Sequence, residues 1–148
     1  MWNDLEMEIE ICSKCALERV RKNPVAGKGN KEAKILFVMD SISTEEDNRN
    51  ELLTDKNGEY FMKFLEYAKL NLEKCYFTTL TKCSSRGEII EKNSISKCRD
   101  FLTGQIALLN PSYIVTVGEN PTRSFIKESL FPFSSYFILY IIPESSSG

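Results

Sequence analysis

Histidine is absent from this chain. That removes the commonest general base and the usual nitrogen ligand for metals, so any chemistry here rests on thiolates, carboxylates, hydroxyls and amides. Long apolar runs are also missing. The longest near the C-terminus, Tyr136 to Ile142, is far too short to span a bilayer. The N-terminus, MWNDLEMEIEIC, is acidic and lacks the basic start and apolar core of a signal peptide. Five cysteines in such a chain point to a reducing compartment, and to metal or catalytic use rather than disulfides. A cytoplasmic protein is the expectation. The phosphate-loop pattern G-x4-G-K-[ST] is absent, so Gly27-Lys28-Gly29 reads as a simple turn. No repeat or low-complexity tract occurs beyond the terminal Ser145-Ser146-Ser147-Gly148, which reads as a flexible end.

What is present suffices for one globular domain: 148 residues, 42% hydrophobic. The net charge of −2 gives no overall pull toward nucleic acid, but its distribution is uneven. Lys14–Lys34 carries seven basic residues against two acids, Asp40–Glu59 seven acids against two bases, and Lys82–Arg99 five bases against two acids. Each segment alone could be ordinary solvated surface. Both basic segments, however, contain cysteines.

Continuous apolar character over Lys34–Asp40 predicts a buried parallel strand. Cys75–Thr81, Tyr113–Val117 and Tyr136–Ile142 read as three further strands. Glu59–Leu70 predicts a helix with Phe61, Phe64, Leu65 and Ala68 on one face. Ser94–Leu109 predicts a long helix capped by Ser94 or Ser96 and stopped by Asn110-Pro111. Asn120-Pro121 opens a short helix to about Glu128. The alternation implies an α/β fold, three-layer α/β/α around a central four-stranded parallel sheet with right-handed crossovers. Ligands in such sheets bind beyond the carboxyl ends of the strands, near a switch in strand order. That directs attention to Asp40–Asp47 and Thr78–Ser85.

Cys12 and Cys15 form a C-x2-C pair, joined downstream by Cys83 and Cys98. Four thiolates complete a zinc or iron–sulfur site without histidine. Zinc usually takes two close pairs, whereas fourteen residues separate Cys83 from Cys98, a spacing iron–sulfur clusters tolerate. Cys75, opening a strand, reads as a small buried hydrophobe.

The flanks of these cysteines are similar to those of the iron–sulfur uracil-DNA glycosylases of bacteria and archaea, family 4. The family's C-x2-C is followed by a basic stretch with a G-x-G turn, here Gly27-Lys28-Gly29. Its A-x-I-L-F-V corresponds to Ala33–Val38, and T-N-x-x-K-C to Thr78–Cys83. F-L-x-x-Q-I corresponds to Phe101–Ile106, and P-x-x-I-V-x-x-G to Pro111–Gly118. The resemblance implies a single uracil-DNA glycosylase-like domain over 1–148, with 1–33 as a cluster-binding segment and 144–148 as a tail. It implies a 4Fe–4S cluster on Cys12, Cys15, Cys83 and Cys98, with zinc as the alternative. It also implies DNA, single-stranded included, or a repair or replication protein as partner, and a monomer without membrane attachment. Arg19, Arg21, Lys22, Lys28, Lys82 and Arg86 are candidate phosphate contacts.

Departures concentrate where that family does its chemistry. G-E-A-P-G reads Met39-Asp40-Ser41-Ile42-Ser43, with Glu45-Glu46-Asp47 still in register. The resemblance makes Asp40 the candidate water-positioning carboxylate, with Ser41 beside it as a substrate contact. The uracil-stacking phenylalanine falls at Leu53, which has no π face. The base-reading asparagine falls at Thr79, a single hydroxyl in place of an amide. The late H-P-S motif falls near Pro143-Glu144-Ser145-Ser146, without its histidine, and the helix that normally follows is not in the sequence. Serine hydroxyls there, Ser145–Ser147, are the remaining donors. The reading is therefore a DNA-repair or nucleic-acid-binding protein with uracil excision weakened or lost. The alternative is an active divergent glycosylase that hydrolyses the N-glycosidic bond of deoxyuridine in DNA through Asp40. A zinc-stabilised or electron-transfer protein is a third reading that leaves the flanking motifs unexplained.

Overall fold

The computed structural model describes residues 2–10, 25–82, 92–128 and 136–140, and of these it describes 92–99, 126–128 and 136–140 through the backbone alone. In chain order the elements are α1 (Trp2–Glu10), β1 (Lys28–Gly29), β2 (Ile35–Met39), α2 (Thr44–Arg49) and α3 (Lys56–Tyr67). A 3-10 turn (Leu72–Lys74) leads into β3 (Cys75–Thr79), followed by α4 (Lys92–Leu109), β4 (Tyr113–Val117), α5 (Glu119–Glu128) and β5 (Tyr136–Tyr140).

The strand order is β1-β3-β2-β4-β5. The four strands expected from the sequence are present and parallel. The sheet as a whole is mixed, because Lys28–Gly29 adds an antiparallel edge strand to β3 where a simple turn was expected. Glycine permits this. Gly29 has φ of 127°, and a Cβ there would lie 2.5 Å from the Cys75 carbonyl oxygen.

Successive residues of β2 are buried on opposite faces, as a parallel sheet covered by helices on both sides requires. Leu36 and Val38 pack with Tyr76, Ile114, Leu102, Ile106 and Phe125 on the α4/α5 face. Phe37 packs with Phe77, Leu52, Leu53, Leu65 and Val117 on the α3 face. The chain moves one way from β2 to β3 and back past β2 to reach β4. Right-handed crossovers in opposite directions place α3 and α4 on opposite faces. The three-layer architecture follows.

Local signals explain most boundaries. Asp55 caps α3 by accepting from the Gly58 amide at 2.7 Å. Asn110 takes φ of 49° directly after α4, and Pro111 follows. Two expectations need correction. Helix α4 begins at Lys92, ahead of both predicted serine caps. The core face of α3 is Gly58, Phe61, Met62 and Leu65, while Phe64 is 63% exposed, because the helix packs one step round from the predicted stripe.

Gln105, 1% exposed, ties three segments together. Its Nε2 donates to the Ala26 carbonyl at 2.9 Å, and its Oε1 lies 2.8 Å from the Thr78 hydroxyl, itself 2.9 Å from the same carbonyl. Replacing Gln105 with Ala leaves a cavity and a weakened anchor for Ala26, an expected loss of about 1–3 kcal/mol. A urea midpoint unchanged from the parent would show that the network carries no stability.

Candidate functional site

The switch in strand order falls at β2, whose neighbours β3 and β4 are reached in opposite directions. Chains leaving the carboxyl ends of β2 and β4 diverge there and leave a crevice. Asp40 follows β2 directly. Asn120, in the first turn of α5, follows β4 after Gly118 and Glu119. Asn120 Nδ2 lies 3.1 Å from Asp40 Oδ2 and 3.4 Å from Oδ1. Burial pushes the Asp40 carboxyl above its ordinary range, and the Asn120 amide partly offsets this by stabilising the anion. The backbone of Asp40 is also fixed, its carbonyl accepting from the Thr81 amide at 3.4 Å.

Between the ends of β2 and β4 and helix α3 lies a cavity of about 240 Å³. Met39, Ser41 and Val117 line it from the strand ends, Leu52 and Leu53 from the following loop, and Asn57, Gly58 and Phe61 from α3. Glu46 shapes one wall. This carboxylate is only 5% exposed and closes a capping box at the start of α2: Oε1 accepts from the Ser43 amide at 2.9 Å, and the Ser43 hydroxyl accepts from the Glu46 amide at 3.2 Å. Its second oxygen accepts from the Leu53 amide at 2.5 Å and holds Leu53 at φ of 62°, a conformation costly for leucine. Gly58 completes the wall, since a Cβ there would lie 2.6 Å from Leu53 Cα.

The sequence-predicted residues divide. Ser41 and Leu53 both line the cavity, Leu53 from the core at 4% exposure, whereas Asp40 pairs with Asn120 and is not among the residues that line it. Thr79 does not join them. It is fully buried, and its hydroxyl donates to the Thr81 carbonyl at 2.5 Å, so it offers no free edge to a ligand. Lys82 is also corrected. It is 1% exposed with its ammonium donating to the Thr79 carbonyl, so it does not face a phosphate. Lys28 stays at the surface, 3.7 Å from Glu51 and 3.5 Å from the Leu52 carbonyl. The Glu45–Asp47 run, legible as solvated charge, is mostly interior: Glu46 and Asp47 are both buried. Sequence reading missed Asn57 and Asn120 as site residues and took Phe61 only as core. The local signals were the Asp55-x-x-Gly58 cap and Asn120-Pro121, but neither tells which way a side chain faces.

Cys12, Cys15, Cys83, Arg19, Arg21, Lys22, Arg86 and Ser145–Ser147 lie outside the described residues, as does the side chain of Cys98 on α4. The described flanks of the cysteines converge. Ile9, near the end of α1, packs on Phe101, one turn beyond Cys98, and Ala26 packs against both. The Val25 amide donates to the Lys82 carbonyl, next to Cys83, at 2.6 Å. Thr81 Oγ1, two residues from Cys83, is buried without a hydrogen-bond partner among the described residues. Cys75 is buried and free, its thiol pKa raised by burial, as expected of a packing residue. Among the described residues no helix is long and apolar enough to cross a membrane.

Comparison with known proteins adds to this geometry. The sequence profile of the uracil DNA glycosylase superfamily matches residues 26–145. The chain is similar to the type-4 uracil-DNA glycosylase of Saccharolobus solfataricus, 31% identical over 123 residues that cover 82% of this chain and 57% of the relative. It is 32% identical over 119 residues to that of Archaeoglobus fulgidus, covering 78% of this chain and 59% of the relative. The protein of the same name from Thermotoga maritima is 28% identical over 121 residues, covering 80% and 62%. The chain thus spans roughly three-fifths of the length of these curated relatives.

The raised pKa of Asp40 has a definite sign for stability. Ionised Asp40 is disfavoured in the folded chain relative to the unfolded one, so its contribution is largest below the ordinary value of 3.8 and is lost as pH rises through the folded pKa. Asp40→Asn therefore raises the melting temperature at pH 7, with the difference closing below about pH 4. Asn120→Ala moves the Asp40 titration further up, readable by carboxyl-carbon NMR. A lower melting temperature for Asp40→Asn at pH 7 would contradict this account.

Proposed function

The chain belongs to the uracil DNA glycosylase superfamily, and we propose that it is an iron–sulfur member that binds DNA in repair, with uracil excision weakened to a residual level. The carrying observation is Thr79. The residue at the base-reading position has its hydroxyl committed to the Thr81 carbonyl and is closed off from solvent. Leu53, where the resemblance expects a stacking ring, is packed into the core. Each lost donor to developing charge costs about 100- to 1,000-fold in rate. Asp40 keeps a carboxylate at the crevice, held by Asn120, and that favours the second reading of an active divergent glycosylase in which Asp40 positions the attacking water.

Uracil release from a labelled single strand separates the two. The expected rate is about 1,000-fold below that of the Archaeoglobus fulgidus relative under the same conditions, falling to background in Asp40→Asn. A rate equal to the relative's would establish the active reading instead.

Cys12, Cys15, Cys83 and Cys98 are the residues proposed to hold a 4Fe–4S cluster. Convergence of their described flanks supports this, and the orphaned Thr81 hydroxyl is suited to donate to thiolate sulfur. The cluster would act as a clamp joining the N-terminal segment, the loop after β3 and α4. Purified protein should be brown with broad visible charge-transfer absorbance, which zinc does not give, and Cys98→Ala should lose both colour and iron. A colourless protein with stoichiometric zinc would reverse the assignment.

Arg19, Arg21, Lys22, Lys28 and Arg86 remain the proposed phosphate contacts of a cytoplasmic, monomeric domain over 1–148. Log affinity for single strands should then fall with log salt at a slope of about −0.7 per contacted phosphate. Affinity that does not respond to salt would remove these residues from the interface.

A further inference from the structure

The outward face of α3 carries side chains that the fold does not use. Tyr60, Phe64 and Tyr67 are each more than half exposed, Tyr67 at 89%. Their spacing of i, i+4 and i+7 sets them in one stripe, opposite the Phe61, Met62 and Leu65 side that meets the sheet. Exposed rings grouped in this way mark a contact surface, and tyrosine is enriched at the centres of such surfaces. Along one flank of the stripe run Lys56, Glu59, Lys63 and Glu66, all exposed and alternating in sign. Among the described residues no ion pair engages any of the four.

We propose that α3 is a self-association surface, on which a second copy of this chain docks its own α3 antiparallel about a two-fold axis. The order of the charges carries the inference. Their spacings of three, four and three residues read the same in both directions, while the signs invert on reversal. In an antiparallel pair related by a two-fold, each flank meets its own copy. Lys56 then faces Glu66, Glu59 faces Lys63, and symmetry repeats both pairs. The same register brings Tyr60 opposite Phe64 to within one residue, so the rings cover one another while the charges pair beside them. Other occupants fit less well. Two lysines balanced by two glutamates give the face no net attraction for a phosphate backbone. A single helix of 12 residues, about 18 Å long, cannot supply the roughly 800 Å² per partner of a stable interface. Association is therefore weak, half complete at about 10–100 μM, and at the dilution of a strand-binding assay the chain is the monomer proposed above. Since α3 returns from the end of β2 to the start of β3, it runs antiparallel to both strands. The two-fold thus points the carboxyl ends of the two sheets in opposite directions, and pairing does not join the two crevices. The inference stands independently of the DNA reading.

Sedimentation equilibrium of the full chain, under reducing conditions that exclude disulfide dimers, tests this. The parent should approach twice the monomer mass as its concentration rises through that range. Glu59→Lys and Lys63→Glu should each weaken self-association about 10-fold, because each sets like charges against one another twice. An equimolar mixture of the two variants should recover the parent's affinity, since the bases at 59 and 63 of one then face the acids at 59 and 63 of the other. The double exchange, Glu59→Lys with Lys63→Glu, should self-associate like the parent. Phe64→Ser should weaken pairing by about 10-fold as well. All these side chains are exposed, so the variants keep the fold, and a misfolded variant would not be rescued by mixing. A parent that stays monomeric up to about 1 mM overturns the proposal, as does a mixture that pairs no better than its components. If Phe64→Ser lowers affinity for a single strand and leaves sedimentation unchanged, the stripe stacks bases and self-association is refuted.

Discussion

Because β2 pairs with β3 along one edge and β4 along the other, the chains leaving β2 and β4 must part toward opposite faces of the sheet. The gap they leave is where Asp40 and Asn120 meet. No local preference in either loop produces that meeting, since the two residues lie eighty positions apart. Crossover handedness produces it, by sending α3 and α4 to opposite sides. The aromatic cluster of Phe37, Phe61 and Phe77 then fixes α3 against the face of the sheet. The cavity's position is therefore a consequence of strand order.

Its shape depends on a buried carboxylate. Glu46 holds the Ser43 and Leu53 amides at once, so the start of α2 and the loop before α3 form one unit. Burial of a carboxylate is costly unless its lone pairs are taken up by good donors, and here backbone amides supply them. In return, Leu53 is kept at a positive φ, and Gly58 lets α3 close onto it. Where the resembling family has G-E-A-P-G, this chain has Met39–Ser43, which runs into a capped helix with a carboxylate brace.

A second set of contacts joins the end of α1, the Val25–Ala26 segment, Lys82 and α4 through Ile9, Phe101, Thr78 and Gln105. In sequence these residues lie close to Cys12, Cys83 and Cys98 of the proposed clamp. They also turn β3's exit inward: Lys82 points to the Thr79 carbonyl, and Thr79 to the Thr81 carbonyl. The same packing keeps the Thr79 hydroxyl away from the crevice and the Lys82 ammonium away from solvent.

The sequence by itself determined the layers, the four parallel strands and the family, because apolar runs, Asn-Pro breaks and cysteine flanks are local patterns with local physical causes. It also placed Asp40 at the end of a central strand, the region where such sheets bind ligands. The edge strand at Lys28–Gly29 was not legible, for it exists only through pairing with β3. Nor was the inward turn of Lys82, Thr79 and Glu46, because charge and hydroxyl content predict exposure until a backbone partner is supplied from elsewhere. Tertiary structure alone decided that Asn120 meets Asp40, and that Asn57 and Phe61 line one cavity with Met39 and Ser41. Side-chain direction on a helix is set by which neighbour the helix packs against, and only the packed sheet specifies that neighbour.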